Sequence, residues 1–519
     1  MQRNAILSIL LLFIVLTAAA QHPNVLITTV GEPNEPSIMI DPKNPMRMMA
    51  ANNIWHYHTS EDGGLTWQYG RLTSATLGVW GDPCIIVDTL GNFYFFHLSN
   101  PPSGSWIDRI VCQRTDDMGQ TWTSGSSIGY VPGKQQDKEW AVVNPYNNEI
   151  YVTWTQFDNY GSNNPNDSSI IRFSKSSDLG ETWSEAVRLS KVAGDCIDDD
   201  NTTEGAVPTV GPDGQIYVSW SGPAGIVFDR SLDGGNTWLE NDIFVYGHAG
   251  GWAQDIPGIS RCNGFPVTDC DRSNGPNRGT IYINYTDQRN GADDTDVWLT
   301  KSTNGGDTWS EPVRVNDDGP GKQQFFTWMT VDQITGKLWF VFYDRREHDD
   351  WSTDVYMAVS EDGGSTFTNF KVSEEPFIPN SSFFFGDYNN ISAHNDTVRP
   401  IWTRLHNGAM SIHTAFVDPL IIGTELVESI PYAESQVAPN PFTHSTAYSF
   451  KLNRTSNVSL SVKDVTGRDV ITLINNQTMQ PGKYSRMIEA EGYSLNPGIY
   501  YFALVLDNQI LTKKVIYTP

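Results

Sequence analysis

An all-β chain is predicted, a seven-bladed β-propeller followed by a small Ig-like β-sandwich, and three observations predict it. Aromatic residues make up 12% of the 519 residues and glycine numbers 44, while long amphipathic helical patterns are hard to find. A turn-forming octet, Ser/Thr-x-Asp-x-Gly-x-Thr-Trp, returns along most of the chain. After Asp418 the composition changes and a new alternating pattern begins.

The first element, residues 1–20, reads as an export signal. Arg3 supplies the positive start, Ile6 to Leu16 a short apolar run, and Ala18-Ala19-Ala20 the small-residue cleavage site, so the mature chain is expected from Gln21. That run is short for a bilayer span, and no later stretch is more apolar. A secreted or cell-surface protein, not integral to the membrane, follows. The net charge of -26 excludes nucleic acid as a partner, because phosphate binding needs clustered Lys and Arg. The five cysteines match no zinc spacing; Cys196 and Cys262, in consecutive linkers, are candidates for a bridge.

Residues 21–420 carry the repeats. The octet runs "SEDGGLTW", "TDDMGQTW", "SSDLGETW", "SLDGGNTW", "STNGGDTW" and "SEDGGSTF". Its third positions are Asp62, Asp117, Asp178, Asp233, Asn304 and Asp362, which are 55, 61, 55, 71 and 58 residues apart. Each unit reads as three short strands, the octet turn and a fourth strand, the make-up of a propeller blade. In the turn the carboxylate can accept hydrogen bonds from freed backbone N–H groups, the glycine permits positive φ, and the tryptophan can pack between blades. Seven first strands are expected, near Glu35, Asp82, Glu139, Gly205, Gly264, Phe326 and Phe385. The last unit lacks a fourth strand, and "NVLITTV" from Asn24 could supply it and close the ring. Six blades plus an extra edge sheet is the alternative.

The repeated turn resembles the Asp-box, or BNR repeat, of the sialidase-like propeller superfamily, over residues 24 to 418. The resemblance implies a glycan-active protein, a glycoside hydrolase acting on an acidic sugar, without a cofactor. The first strand reads "NEPSIMI", with no arginine where that family carries Arg-Ile-Pro, and "AANNIWHYHTS" offers no acid before the first box. A non-catalytic glycan-binding or adhesion propeller and a polysaccharide lyase are the alternatives.

Residues 433–519 form the last element. "PNPF", "DVTGR", "PGIYYF" and the terminal "KKVIY" together resemble the sorting domain read by type IX secretion in Bacteroidota. The resemblance implies the type IX machinery as a partner.

The chemistry is expected on the face opposite the boxes. "YTDQRNGADDTDVW" and "YDRREHDDWSTDVY" align Asp287 with Asp344 and Arg289 with Arg346, and "IWTRLH" sets Arg404 at the matching place. Arg289, Arg346 and Arg404, with Asp287 and Asp387, are the candidate substrate-binding residues, since converging guanidinium groups grip a carboxylate. The bland alternative is that each arginine pins its own loop. Asp344, Glu204 and Tyr388 are the candidate catalytic residues, as acid, base or nucleophile. Asp82, Asp137 and Glu139 head neighbouring first strands, and Trp80, Trp106, Trp140 and Trp328 offer apolar faces to sugar rings. A lyase would draw on Tyr388, His394 or His406. The acidic stretch from Asp195 is the one place for calcium, and reads first as a solvated loop.

Overall fold

In the computed structural model the structure describes residues 22–417, 433–452, 455–465, 467–506 and 509–518, so the expected export signal lies outside the described residues. The described residues are strands, turns and bends. The chain divides into two compact units, Met1–Asp418 and Pro419–Pro519.

The first unit is built of four-stranded antiparallel sheets, seven among the described residues. Six use four consecutive strands, as in Glu204–Val210, Ile216–Gly222, Gly225–Ser231 and Ile243–Tyr246. In the remaining sheet Asn24–Thr28 pairs with Ala409–Ala415, supplying the strand that the last repeat lacks. The first strands are Ser37–Ile40, Cys84–Val87, Gln135–Val143, Glu204–Val210, Val267–Cys270, Gln324–Val331 and Asn390–His394. Each touches the next and the last touches the first, so the sheets stand around an axis as propeller blades. The last begins at Asn390 rather than at Phe385, because Phe385 leaves the sheet to pack on Phe377 and Tyr343, with ring centroids 5.4 and 5.5 Å apart.

Packing explains why these stretches are strands. Second strands are buried on both faces, Phe93–Leu98 and Leu338–Asp344 throughout, so they read as unbroken apolar and aromatic runs. Outer strands such as Gln68–Arg71 face solvent and are polar. Trp154, Trp220, Trp339 and Trp402 are fully buried on second strands, and large buried side chains of this kind each stabilise by about 1.5–3 kcal/mol.

The octets clamp one blade to the next. Asp62 Oδ1 accepts from Ser60 Oγ at 2.8 Å and from the Thr66 N–H at 3.0 Å, and Oδ2 accepts from Thr66 Oγ1 at 2.6 Å. Asp117, Asp178, Asp233 and Asp362 repeat the pattern. Asn304 keeps it by turning its amide: Oδ1 accepts from Ser302 and the Thr308 N–H, and Nδ2 donates to Thr308 Oγ1. The fifth-position glycine has two reasons. Gly235 sits at φ +81°, and a Cβ there would lie 2.6 Å from the Phe173 ring of the preceding blade. The closing Trp238 packs edge-on against that same ring at 4.9 Å.

The second unit is two sheets. Ala433–Ala438, Ser445–Leu452 and Gly482–Glu489 form one; Ser456–Lys463, Asp469–Met479, Gly498–Leu506 and Gln509–Tyr517 form the other. Tyr448 and Phe450 of the first share a core with Leu460 and Phe502 of the second.

Two predictions follow from the first unit. Asp233→Asn should leave the melting temperature nearly unchanged, as Asn304 does naturally, whereas Asp233→Ala should lower it by roughly 2–4 °C, read by calorimetry. The second concerns His97 and His58, which are buried; burial pulls them down to about 4 and about 3. An unfolded histidine titrates near 6.5, so acid protonates the unfolded chain first. Stability present above pH 6.5 should be lost as pH falls toward about 4, and His97→Gln should flatten that slope in thermal melts.

Candidate functional site on the axial face

The heads of the first strands share a backbone irregularity. Glu35, Asp82, Lys138 and Phe326 stand at φ +51°, +52°, +51° and +48°, and Gly205 at +76°. The ladder slips at Asp137/Trp140, Glu204/Val207 and Phe325/Trp328, which re-aims the side chains between the slips. Left-handed backbone costs a non-glycine residue about 1–2 kcal/mol, and its recurrence at one level of the ring marks a place held against strain.

There the chain gathers an ionic network. Lys138 Nζ pairs with Asp387, with Asp82 at 3.1 Å and with Glu35 at 3.7 Å. Arg261 grips Asp387 through Nε at 2.9 Å and through Nη2, and reaches Asp198 through Nη1 at 2.9 Å. Tyr160 donates its hydroxyl to Asp198 at 2.6 Å. The Asn263 side chain holds the Asp387 carbonyl at 2.9 Å. Burial pulls the Lys138 ammonium down, yet Asp387, Asp82 and Glu35 together hold it well above the ordinary lysine range. Burial opposes the Asp387 charge too, and Arg261 and Lys138 override it, keeping this carboxyl below the usual range.

Beside this network lie carboxyls without partners. Glu139 is 1% and Glu204 0% exposed, and their carboxyl oxygens find no hydrogen-bond partner on another residue. Burial, reinforced by Asp82 for Glu139 and by Asp198 and Asp137 for Glu204, pushes both well above the carboxylate range. Asp137 is pushed up to about 8 by burial and by Asp82. Tyr388 has a buried, unpartnered hydroxyl, and burial with Glu35 and Asp82 pushes its phenol up.

Aromatic rings frame the charges. Trp140 and Trp328, from the third and sixth blades, meet across the axis at 4.2 Å, and Tyr388 closes on Trp140 at 5.0 Å. A cavity of about 30 Å³ touches Lys138, Trp140, Gly205, Asn263, Asp387 and Tyr388. A larger axial channel of about 460 Å³ reaches the same two tryptophans and extends to Asp88, Tyr146 and His394. Exposed Trp80 meets exposed Trp106 at 6.0 Å, Trp106 meets Tyr160 at 6.0 Å, and exposed Phe384 lies under Arg261 at 5.3 Å.

Of the sequence-predicted residues, Glu204, Tyr388 and Asp387 fall in or beside this network. The others form separate pairs. Arg289 binds Asp287 at 2.5 Å and stacks on Trp298 at 3.9 Å. Arg346 binds Asp344 at 2.8 Å and also Asp317, and stacks on Tyr356. Arg404 binds Glu375 at 3.1 Å. Each guanidinium therefore has its own carboxylate, the loop-pinning arrangement. Asp344, buried, is pushed up to about 6. His394 borders the channel, and His406 is exposed beside Asn407. Cys196 and Cys262 are free and buried. The Asp195 stretch is occupied with its own turn, with Arg261 and with the Ala253 N–H. Among the described residues no group of three or more His, Cys, Asp or Glu is arranged for a metal ion, and no helix is long and apolar enough to cross a membrane.

Sequence reasoning passed over Lys138, Arg261, Glu35 and Asp198. One signal was present: Glu35-Pro36 and Asp82-Pro83 repeat an acid before proline at equivalent strand heads, and Lys138 takes that place in the third blade.

Residues 436–518 match the family described as "Secretion system C-terminal sorting domain". The C-terminal module is a type IX sorting domain. The chain is thus a type IX-secreted protein of the cell surface or extracellular space. No curated protein sequence matches the chain. Solved structures similar to it include the Hadza microbial sialidase Hz136, at 15% identity and a TM-score of 0.42, covering 73% of this chain and 75% of that one. The NanB sialidase of Streptococcus pneumoniae stands at 8% and 0.41, covering 71% and 83%. An ulvan lyase, a polysaccharide lyase, stands at 13% and 0.45, covering 75% and 93%.

The network makes a stability prediction. Lys138→Met leaves Asp387 short of a cation in a buried setting and should destabilise by about 3–5 kcal/mol in denaturant unfolding. Arg404→Ala, whose partner Glu375 is exposed, should cost under about 1 kcal/mol.

Proposed function

We propose that this protein is an extracellular glycan-active seven-bladed propeller carrying a small Ig-like sorting sandwich, and that it hydrolyses a glycosidic bond at the axial face. The observation that carries this reading is the pair of buried carboxyls, Glu139 and Glu204, pushed by burial well above the carboxylate range, beside a charged network and exposed aromatic rings. The aromatic faces of Trp80, Trp106 and Phe384 suit the apolar faces of sugar rings. A carboxyl that keeps its proton at neutral pH can give it to a leaving glycosidic oxygen. Glu204 is assigned that role, and ionised Asp387, fixed by Lys138 and Arg261, stabilises the positive charge that develops on the sugar. Tyr388 keeps its phenolic proton and serves as a hydrogen-bond donor. Lys138 and Arg261 are positioning residues for Asp387.

A second reading, glycan binding without turnover, is favoured by the complete burial of Glu139 and Glu204. One assay separates the readings. The full chain is incubated with a panel of polysaccharides, and both reducing ends and ultraviolet absorbance are followed. New reducing ends without absorbance, cut at least about a hundredfold by Glu204→Gln, are expected for the hydrolase. Binding without new ends leaves the adhesion reading. A product that absorbs means elimination and overturns the assignment of Glu204.

A further inference from the structure

We infer that the axial channel takes the hydrocarbon chain of a single-chain lipid, which enters from the face that carries the octets. The site uses the far half of each first strand rather than the heads, and the inference stands apart from the glycan reading.

Strand order fixes where the channel lies. Its lining begins at Trp140 and Trp328, partway along their strands, and runs to Tyr146 and Gln333, past the strand ends. Those ends are level with the octets. Val143 pairs with Ile150, and Ile150 with Ser176, the first residue of the third octet. Val331, Leu338 and Ser360 repeat that register three blades on. The volume of about 460 Å³ is in the range of pockets that hold small ligands.

The wall contains polar atoms, but bonds between blades already use them. Ser37 Oγ accepts from the Ile85 N–H at 3.0 Å, Ser392 Oγ from the Ile40 N–H at 3.1 Å, and Asn390 Oδ1 from the Ile38 N–H at 3.2 Å. Asp269 accepts from Thr209 Oγ1 at 2.9 Å and from the Val331 N–H at 2.8 Å. Asp88 accepts from Tyr94 and Asn92, and Arg272 donates to the Val210 carbonyl at 2.8 Å with Asp269 3.9 Å away. Met39, Val87, Ala141, Val143 and Ala393 are half-buried lining residues and give the hollow an apolar surface. A water held there needs two to four polar partners. A peptide would have to leave backbone N–H and C=O groups unpaired. An alkyl chain has no polar group to strand, so it is the occupant this wall suits.

The mouth supplies a second observation. Leu90, Tyr146 and Ile334, from the first turns of three blades, are 56%, 54% and 56% exposed. Tyr146 lines the channel, as do Thr89 and Gln333 beside the other two. Exposed apolar side chains around an apolar hollow mark a binding site. The octets themselves present Glu61, Asp116, Glu181, Asp307 and Glu361 to solvent. Pressing those charges onto a bilayer would strip them of water at a cost. One free chain threading the axis avoids that cost, and its polar end stays in water at the mouth.

Fluorescence titration of the full chain with monoacylglycerols, below the concentration at which they form micelles, tests this. Saturable one-to-one binding is expected, with affinity rising about fourfold for each methylene added between ten and fourteen carbons. A chain brominated near its methyl end should quench tryptophan emission, because that end lies against Trp140 and Trp328. A chain brominated beside its ester should quench less than half as much. Replacing both tryptophans, Trp140→Phe with Trp328→Phe, should remove most of the quenching. Ala141→Phe, which fills the channel, should weaken binding at least about tenfold. Equal quenching from the two bromine positions, or binding that Ala141→Phe leaves undiminished, overturns the inference. So does an uncharged apolar peptide that binds as tightly, attachment to phosphatidylcholine vesicles in place of the free lipid, or no binding at all. If a variant fails to fold, the two brominated chains on the unmodified protein decide.

Discussion

The pairing of Asn24–Thr28 with Ala409–Ala415 is the contact on which the rest of the first unit depends. It joins sequence positions almost four hundred residues apart, so its loop-closure cost falls late and is offset only once every intervening blade is in place. Without it the ring has two open sheet edges, a liability for pairing with other chains. With it, each first strand has a neighbour on both sides, and their heads converge on one axis. The ionic network exists only because of that convergence: Glu35, Asp82, Lys138, Arg261 and Asp387 come from five different blades or their linkers.

The two ends of each blade meet different demands. At the octet end every copy solves the same problem, a tight turn with freed N–H groups, and solves it with the same carboxylate or its amide equivalent. At the axial end each copy differs. Glu35, Asp82, Lys138, Gly205 and Phe326 occupy like positions with unlike chemistry, held in a backbone conformation that most side chains avoid. Uniformity on one side holds the blades together, and divergence on the other makes a site.

The fold was legible because it is written locally. The octet, the strand alternation and the turn glycines each need only a few neighbouring residues, and even Asn304 keeps the hydrogen bonds of the position it fills. The site was legible only in part. Glu204, Tyr388 and Asp387 stand at strand heads, where reading the chain in register finds them. Lys138 and Arg261 escaped because their importance lies in partners up to 249 residues away. The arginine alignment of "YTDQRN" and "YDRREH" was real as a repeat, but repetition there reflects a local Arg–Asp pin beside an aromatic ring, as with Asp287, Arg289 and Trp298. A motif that closes on itself within two residues has little left for a ligand.

The contact of Trp140 with Trp328 across the axis has a consequence for traffic. These indoles stand between the small chamber and the larger channel, both of which they line. A molecule seated in the small chamber would have to part these indoles to reach the channel.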